Sequence, residues 1–136
     1  MAGKRTVHDV TYDLLRSLGL TTVFGNPGST EQTFLKNFPD DFTYVLGLQE
    51  ASVLAMADGF AQSTGGPALV NVHTSAGMGN AMGSLVAAYK GNIPLIVTAG
   101  QQTREMVLCE PYLVNRDETW PLPWVTWATS NIIAPP

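Results

Sequence analysis

A doubly wound parallel α/β sheet of the flavodoxin-like kind is predicted by three observations. Short β-branched or apolar runs alternate four times with helix-like runs, and only a few residues connect them. The stretch Pro67 to Val72 is almost continuously apolar, as in a strand covered on both faces. Turn-forming residues stand at nearly every junction. Alternation with short connections implies right-handed crossovers between parallel strands. Ligands of such sheets gather beyond the carboxyl ends of the strands, so polar residues there become candidates before any chemistry is considered.

Each element has its own warrant. Val7, Val10, Leu14, Leu15 and Leu18 recur at helical spacing, and Gly19 supplies the positive φ a helix end favours. Thr21 to Phe24 reads as the first strand, stopped by Gly25-Asn26-Pro27-Gly28. Ser29 or Thr30 can cap a second helix, with Gln32 three residues after Ser29 as in a capping box and Phe34, Leu35 and Phe38 on its buried side, before Pro39-Asp40 ends it. Phe42 to Leu48 is the second strand. A third helix runs from Ala51 to Gln62, with Glu50 at its first turn, and Ser63-Thr64-Gly65-Gly66 closes it. Pro67 to Val72 is the third strand, ending at His73. The small residues Thr74 to Asn80 predict a loop that leads into an Ala-rich helix through Leu85, Val86 and Ala88, ending near Gly91. Ile93 to Thr98 is the fourth strand, stopped by Ala99-Gly100.

Beyond Gln101 the pattern weakens. Arg104, Met106, Val107 and Leu108 open another helix on this reading, but Pro111, Pro121, Pro123, Pro135 and Pro136 interrupt the rest of the chain. Trp120, Trp124 and Trp127 make a large apolar surface with little secondary structure to bury it. The absence of a closing helix and strand predicts a chain cut before its last elements.

The 136 residues fit one domain with one core. Charged residues are only 13% of the chain, about half the usual share, so part of the surface is expected to face other protein. A net charge of −4 without a Lys/Arg cluster beyond Lys4-Arg5 argues against nucleic acid and anionic membranes as partners. Cys109 is the sole cysteine, which rules out an internal disulfide and fits a reducing compartment. No apolar run reaches signal-peptide or membrane-span length, so a cytoplasmic location is expected.

Three polar features fall at the predicted strand ends: Asn26 to Ser29, Glu50 and His73. Glu50 either satisfies a helix N-terminus, where an anion is favoured, or works on a ligand. His73 is either a hydrogen-bonded structural residue or a proton carrier. Ser29 lacks a Gly-x-Ser-x-Gly elbow, which weighs against a hydrolase triad. Gly77, Gly79 and Gly83 are spaced one residue too widely for a dinucleotide loop and follow the third strand, not the first. His8, among charges on the first helix, reads as a solvated residue. Two histidines and no acidic cluster predict no metal site made by this chain alone.

The segments Thr22-Val23-Phe24-Gly25-Asn26-Pro27-Gly28-Ser29, Leu48-Gln49-Glu50-Ala51, Ala57-Asp58-Gly59-Phe60-Ala61, His73 to Gly83 and Pro94 to Gln102 together resemble the N-terminal, pyrimidine-binding domain of thiamine-diphosphate-dependent enzymes, over about residues 6–130. Ser29 after the Asn-Pro-Gly turn and a single His73 before the glycines select the benzoylformate decarboxylase branch of that superfamily. The resemblance implies decarboxylation of an aromatic 2-oxo acid, benzoylformate to benzaldehyde and carbon dioxide, with thiamine diphosphate and Mg2+. Glu50 matches the glutamate that hydrogen-bonds N1′ of the cofactor's aminopyrimidine, a role suited to a carboxyl group withdrawn from water. Ser29 matches the serine that binds the substrate carboxylate, and His73 the histidine that relays protons. Asn26, Pro27, Gly28, Gly77 and Asn80 would line the pyrimidine.

The resemblance also implies what these residues lack: the middle domain, and the diphosphate-binding domain with its Gly-Asp-Gly segment and metal ligands. In the family the site forms where subunits of a homotetramer meet, so this piece alone is expected to be inactive. Two alternatives stand beside that reading. One keeps the cofactor but changes the reaction, to an acetolactate-synthase-like carboligation or an acyl-CoA decarboxylation; the other is a non-catalytic flavodoxin-like interaction module.

Overall fold

In a computed structural model the structure describes residues 5–101. The order is α1 (Val7–Ser17), β1 (Thr22–Asn26), a 3-10 turn (Ser29–Glu31), α2 (Gln32–Leu35), β2 (Thr43–Leu46), α3 (Glu50–Thr64), β3 (Ala68–Val72), α4 (Thr74–Lys90) and β4 (Leu95–Ala99). All strand pairs are parallel, in the order β2-β1-β3-β4. The predicted fold class is therefore present. The segments read as a fifth helix, the three tryptophans, Cys109 and the expected truncation lie outside the described residues.

Alternation along the strands divides the core into two layers. Phe24, Val70, Val72, Val97 and Ala99 face α3 and α4 in one cluster, where Val53, Leu54, Ala57, Met78 and Ala81 are buried. Val23 and Leu69 face the other way, with Tyr12, Leu15, Leu20 and Phe42. On that side Tyr12 stacks on Phe34 at 5.2 Å, and its hydroxyl donates to the Phe34 carbonyl at 2.7 Å. Helices thus lie on both faces, and the chain leaves β1 for β2 on one side and returns across to β3 on the other. The carboxyl ends of β1 and β3 are the point where the winding reverses, the usual position of a ligand in such sheets.

Several local expectations need correction. Helix α1 packs through Tyr12 and Leu15, while Val7, Val10, Leu14 and Leu18 are exposed. Spacing located the helix but not which face is covered among the described residues. Its start, which the pattern did not mark, is a capping box: Thr6 Oγ1 accepts from the Asp9 amide at 3.1 Å, and Asp9 Oδ2 accepts from the Thr6 amide at 2.9 Å. His8 is not freely solvated but half-buried against the Tyr12 ring at 4.7 Å.

The second helix is only a 3-10 turn and one α-turn, closed by Asn37 at φ 52°. No Ser29–Gln32 box forms; the carboxylate that reaches back to the chain belongs to Glu31. The small residues from Thr74 are helix rather than loop. Gly77 and Ala81 are needed there because α4 packs closely on β3 and α3, and packing overrides weak glycine propensity. Strand β1 extends through Gly25 to Asn26, because its ladder partner Val72 is in register with Asn26.

Candidate functional site

Glu50 is the first residue of α3, and Gln49 caps the helix by accepting from the Ser52 amide at 3.2 Å. The capping need is therefore met by Gln49, which leaves the Glu50 carboxylate for other partners. It is 7% exposed, and its two oxygens are divided. Asn26 Nδ2 donates to Oε1 at 3.1 Å and Asn80 Nδ2 donates to Oε2 at 3.2 Å. Those amides come from the end of β1 and the second turn of α4, so three elements converge on one buried acid. Gly77 allows the approach: a Cβ there would lie 3.1 Å from Glu50 Oε1 and 3.2 Å from its Cγ.

A second cluster occupies the opposite side of the same sheet edge. His73 follows β3, with its side chain 23% exposed, and its Nδ1 lies 2.8 Å from Glu31 Oε2. The ring packs on the Gly28 backbone so tightly that any Cβ at Gly28 would enter it. Glu31 is 2% exposed. It accepts from the Gly28 amide at 2.8 Å, the Gly100 amide at 2.9 Å and the Thr30 hydroxyl at 2.6 Å. Burial pushes the Glu31 carboxyl up, but the hydrogen bonds from Thr30, Gly28 and His73, with the histidine's charge, outweigh it and hold the group below its ordinary value. A buried carboxylate held by three donors and facing a ring nitrogen is a fixed acceptor.

The structure therefore brings Asn26, Glu50, Gly77 and Asn80 together, and places Gly28 against His73. It does not join Ser29 to them by a hydrogen bond: Ser29 is exposed at the start of the 3-10 turn and makes no side-chain hydrogen bond among the described residues. Pro27 lies between Asn26 and Gly28 on the loop that leaves β1. Thr74 begins α4 at φ 51°, fully buried, with a hydroxyl that has no partner among the described residues. A β-branched residue in the left-handed region is strained, and here the strain sits next to His73. No group of three His, Cys, Asp or Glu side chains among the described residues is placed to hold a metal ion, and no described helix is long and apolar enough to cross a membrane.

Residues 5–119 match the family model of the thiamine pyrophosphate enzyme N-terminal TPP binding domain. The chain belongs to this family. It is 54% identical over 125 residues to benzoylformate decarboxylase of Pseudomonas aeruginosa, covering 91% of the chain and 24% of that protein. A crystal structure of a protein from Mycobacterium smegmatis assigned as a thiamin diphosphate-dependent enzyme is similar at 75% identity and TM-score 0.86, over 92% of this chain and 24% of that one. Benzoylformate decarboxylase of Polynucleobacter necessarius is similar at 63% identity and TM-score 0.85, with the same coverages. The chain thus spans about a quarter of the length of these relatives.

The residues present fit the pyrimidine end of thiamine diphosphate. A carboxyl group withdrawn from water, fixed by two amides beside a bare glycine, can share a hydrogen with a ring nitrogen of a flat heterocycle. The residue that sequence reasoning missed is Glu31. Its signal was available: an acid three residues after Gly28 can reach back to that amide, as the third helical residue does in a capping box.

Proposed function

We propose that the protein of which this chain is the pyrimidine-binding domain decarboxylates an aromatic 2-oxo acid, benzoylformate, to an aldehyde and carbon dioxide. The observation that carries this is the buried Glu50 carboxylate held by Asn26 and Asn80 at the switch point of a thiamine pyrophosphate enzyme domain. Similarity to two benzoylformate decarboxylases supports the substrate class.

The bound cofactor supplies a carbon that takes up the electrons released when carbon dioxide leaves. This chain's residues orient the ring, bind the substrate and move protons. Glu50 holds a hydrogen at the pyrimidine N1′, and Asn26 and Asn80 fix the direction of its two oxygens. Pro27, Gly28 and Gly77 shape the wall against that ring. Ser29, exposed at the edge of the site, binds the substrate carboxylate through its hydroxyl. His73 carries protons to and from the reacting oxygen and carbon. Mg2+ and the diphosphate are held by residues outside this chain, in a homotetramer whose sites lie between subunits in the cytoplasm, and the chain alone is inactive.

The test is aldehyde release by the full-length protein from benzoylformate, pyruvate and branched 2-oxo acids with thiamine diphosphate and Mg2+. A kcat/KM highest for benzoylformate is expected. Condensation of pyruvate as the main reaction, or no calorimetric signal with the cofactor, would overturn the proposal.

A further inference from the structure

Resting on the reading of His73 as the proton carrier, we propose that Glu31 is a positioning residue that fixes the neutral His73 ring as its Nδ1–H tautomer, so that Nε2 is the nitrogen offered to the substrate. Three donors and the His73 ring converge on one carboxylate. Oε1 accepts from Thr30 and the Gly100 amide, and Oε2 accepts from the Gly28 amide and faces His73 Nδ1. An oxygen that is already an acceptor for a backbone N–H, in a group held ionised, has no hydrogen to give. The hydrogen between Glu31 and His73 therefore belongs to Nδ1, 2.8 Å away.

The partners on each side strengthen this. Thr30 Oγ1 lies 3.2 Å from Nδ1, but it donates its hydrogen to Glu31 at 2.6 Å and so offers Nδ1 only a lone pair. The ring packs on Gly28, where an added Cβ would lie 2.3 Å from Nδ1. Gly100 has no side chain, and a Cβ there would enter the Glu31 carboxylate and the Thr30 hydroxyl. The ends of β1, β3 and β4 are thus tied to one another through Glu31. Nε2 is the ring nitrogen that the carboxylate does not face, on a side chain that is 23% exposed. A carboxylate that orients an imidazole from behind and steadies its cation is the arrangement through which a histidine passes a proton in both directions.

The test uses full-length protein with 15N-labelled histidine, and long-range proton–nitrogen spectra at a pH where His73 is neutral. A His73→Gln spectrum identifies the His73 signals. The wild type is expected to show Nδ1 protonated and Nε2 bare; an Nε2–H form in the wild type overturns the proposal, whether or not Glu31→Gln folds. In Glu31→Gln the amide must set a donor against one of the four donors, and the tautomer preference is expected to shift towards Nε2–H. An unchanged His73 spectrum in folded Glu31→Gln overturns it too. On activity, Glu31→Gln is expected to lower kcat by about tenfold or more with little change in KM, and by less than about twofold in a His73→Ala background. Independent, multiplicative losses would sink the assignment. A wild type that shows the expected tautomer but no decarboxylation would instead overturn the proposed function and leave the tautomer standing.

Discussion

Replacing Gly77 by Ala sets two known effects against each other. In an interior helical position Gly→Ala stabilises by about 1 kcal/mol, because the unfolded chain loses freedom. At Gly77 the new methyl would lie 3.1 Å from Glu50 Oε1, 3.2 Å from Glu50 Cγ and 3.3 Å from Val72 Cβ. Two of these neighbours are on buried β3 and on the first turn of α3, so neither can withdraw freely. Overpacking of this kind costs about 1–3 kcal/mol, giving a net change between about zero and 2 kcal/mol of destabilisation.

Gly83 in the same helix is the internal control: it is exposed, and nothing lies within 4 Å of its added Cβ. Gly83→Ala is expected to gain about 1 kcal/mol. For a domain of this size 1 kcal/mol moves the midpoint by roughly 3–4 °C, so the two variants should separate by roughly 3–12 °C with Gly83→Ala above wild type. Thermal unfolding followed by circular dichroism reads this directly. If Gly77→Ala rises as far as Gly83→Ala, the contact with Glu50 does not constrain that position and the carboxylate is not crowded.

Glu50→Gln in the full-length protein is expected to lower kcat by about a hundredfold or more at saturating cofactor, with the fold retained because a Gln oxygen keeps one of the two Asn contacts; wild-type turnover would refute the role. Ser29→Ala should raise KM for benzoylformate several-fold and change stability by less than about 0.5 kcal/mol, since the side chain is exposed; an unchanged KM counts against substrate contact. Glu31 makes a signed pH prediction. Its folded value is depressed below the ordinary 4.5, so its contribution to stability is present above that value and is lost as pH falls through the lower folded value. Denaturant midpoints measured from pH 6 to pH 2 should therefore fall more steeply for wild type than for Glu31→Gln; parallel curves would contradict it.

The architecture was legible because its signals are local and redundant. Four apolar runs, their turn residues and the polar strand ends placed the sheet and pointed at Asn26, Glu50 and His73. Boundaries slipped where pairing, not propensity, decides: Gly25 and Asn26 extend β1 because β3 runs alongside them. The α4 start was misread because Thr74, Gly77 and Gly79 are poor helix formers that tertiary packing retains. Glu31 was hidden for a different reason. Its partners lie at Gly28, His73 and Gly100, up to 69 residues away, and no spacing rule links them. Likewise, hydropathy located α1 but could not reveal that Leu15 and Tyr12, rather than Val7 and Leu14, face the sheet.

Strand alternation also explains why the two clusters are separate. Phe24 and Asn26 point to the α3 and α4 layer, so the amide at the end of β1 reaches Glu50 and joins Asn80 there. Leu69 and Val23 point to the α1 layer, and one residue past Val72 the histidine turns to that side and finds Glu31. Because the side-chain period is two, a slip of one residue in the β1–β3 register would send Asn26 away from Glu50 and His73 away from Glu31 at once. The register is fixed by Val23 and Phe24 packing into opposite cores. The same apolar residues that stabilise the sheet therefore assign the acid to one side of the switch point and the imidazole to the other.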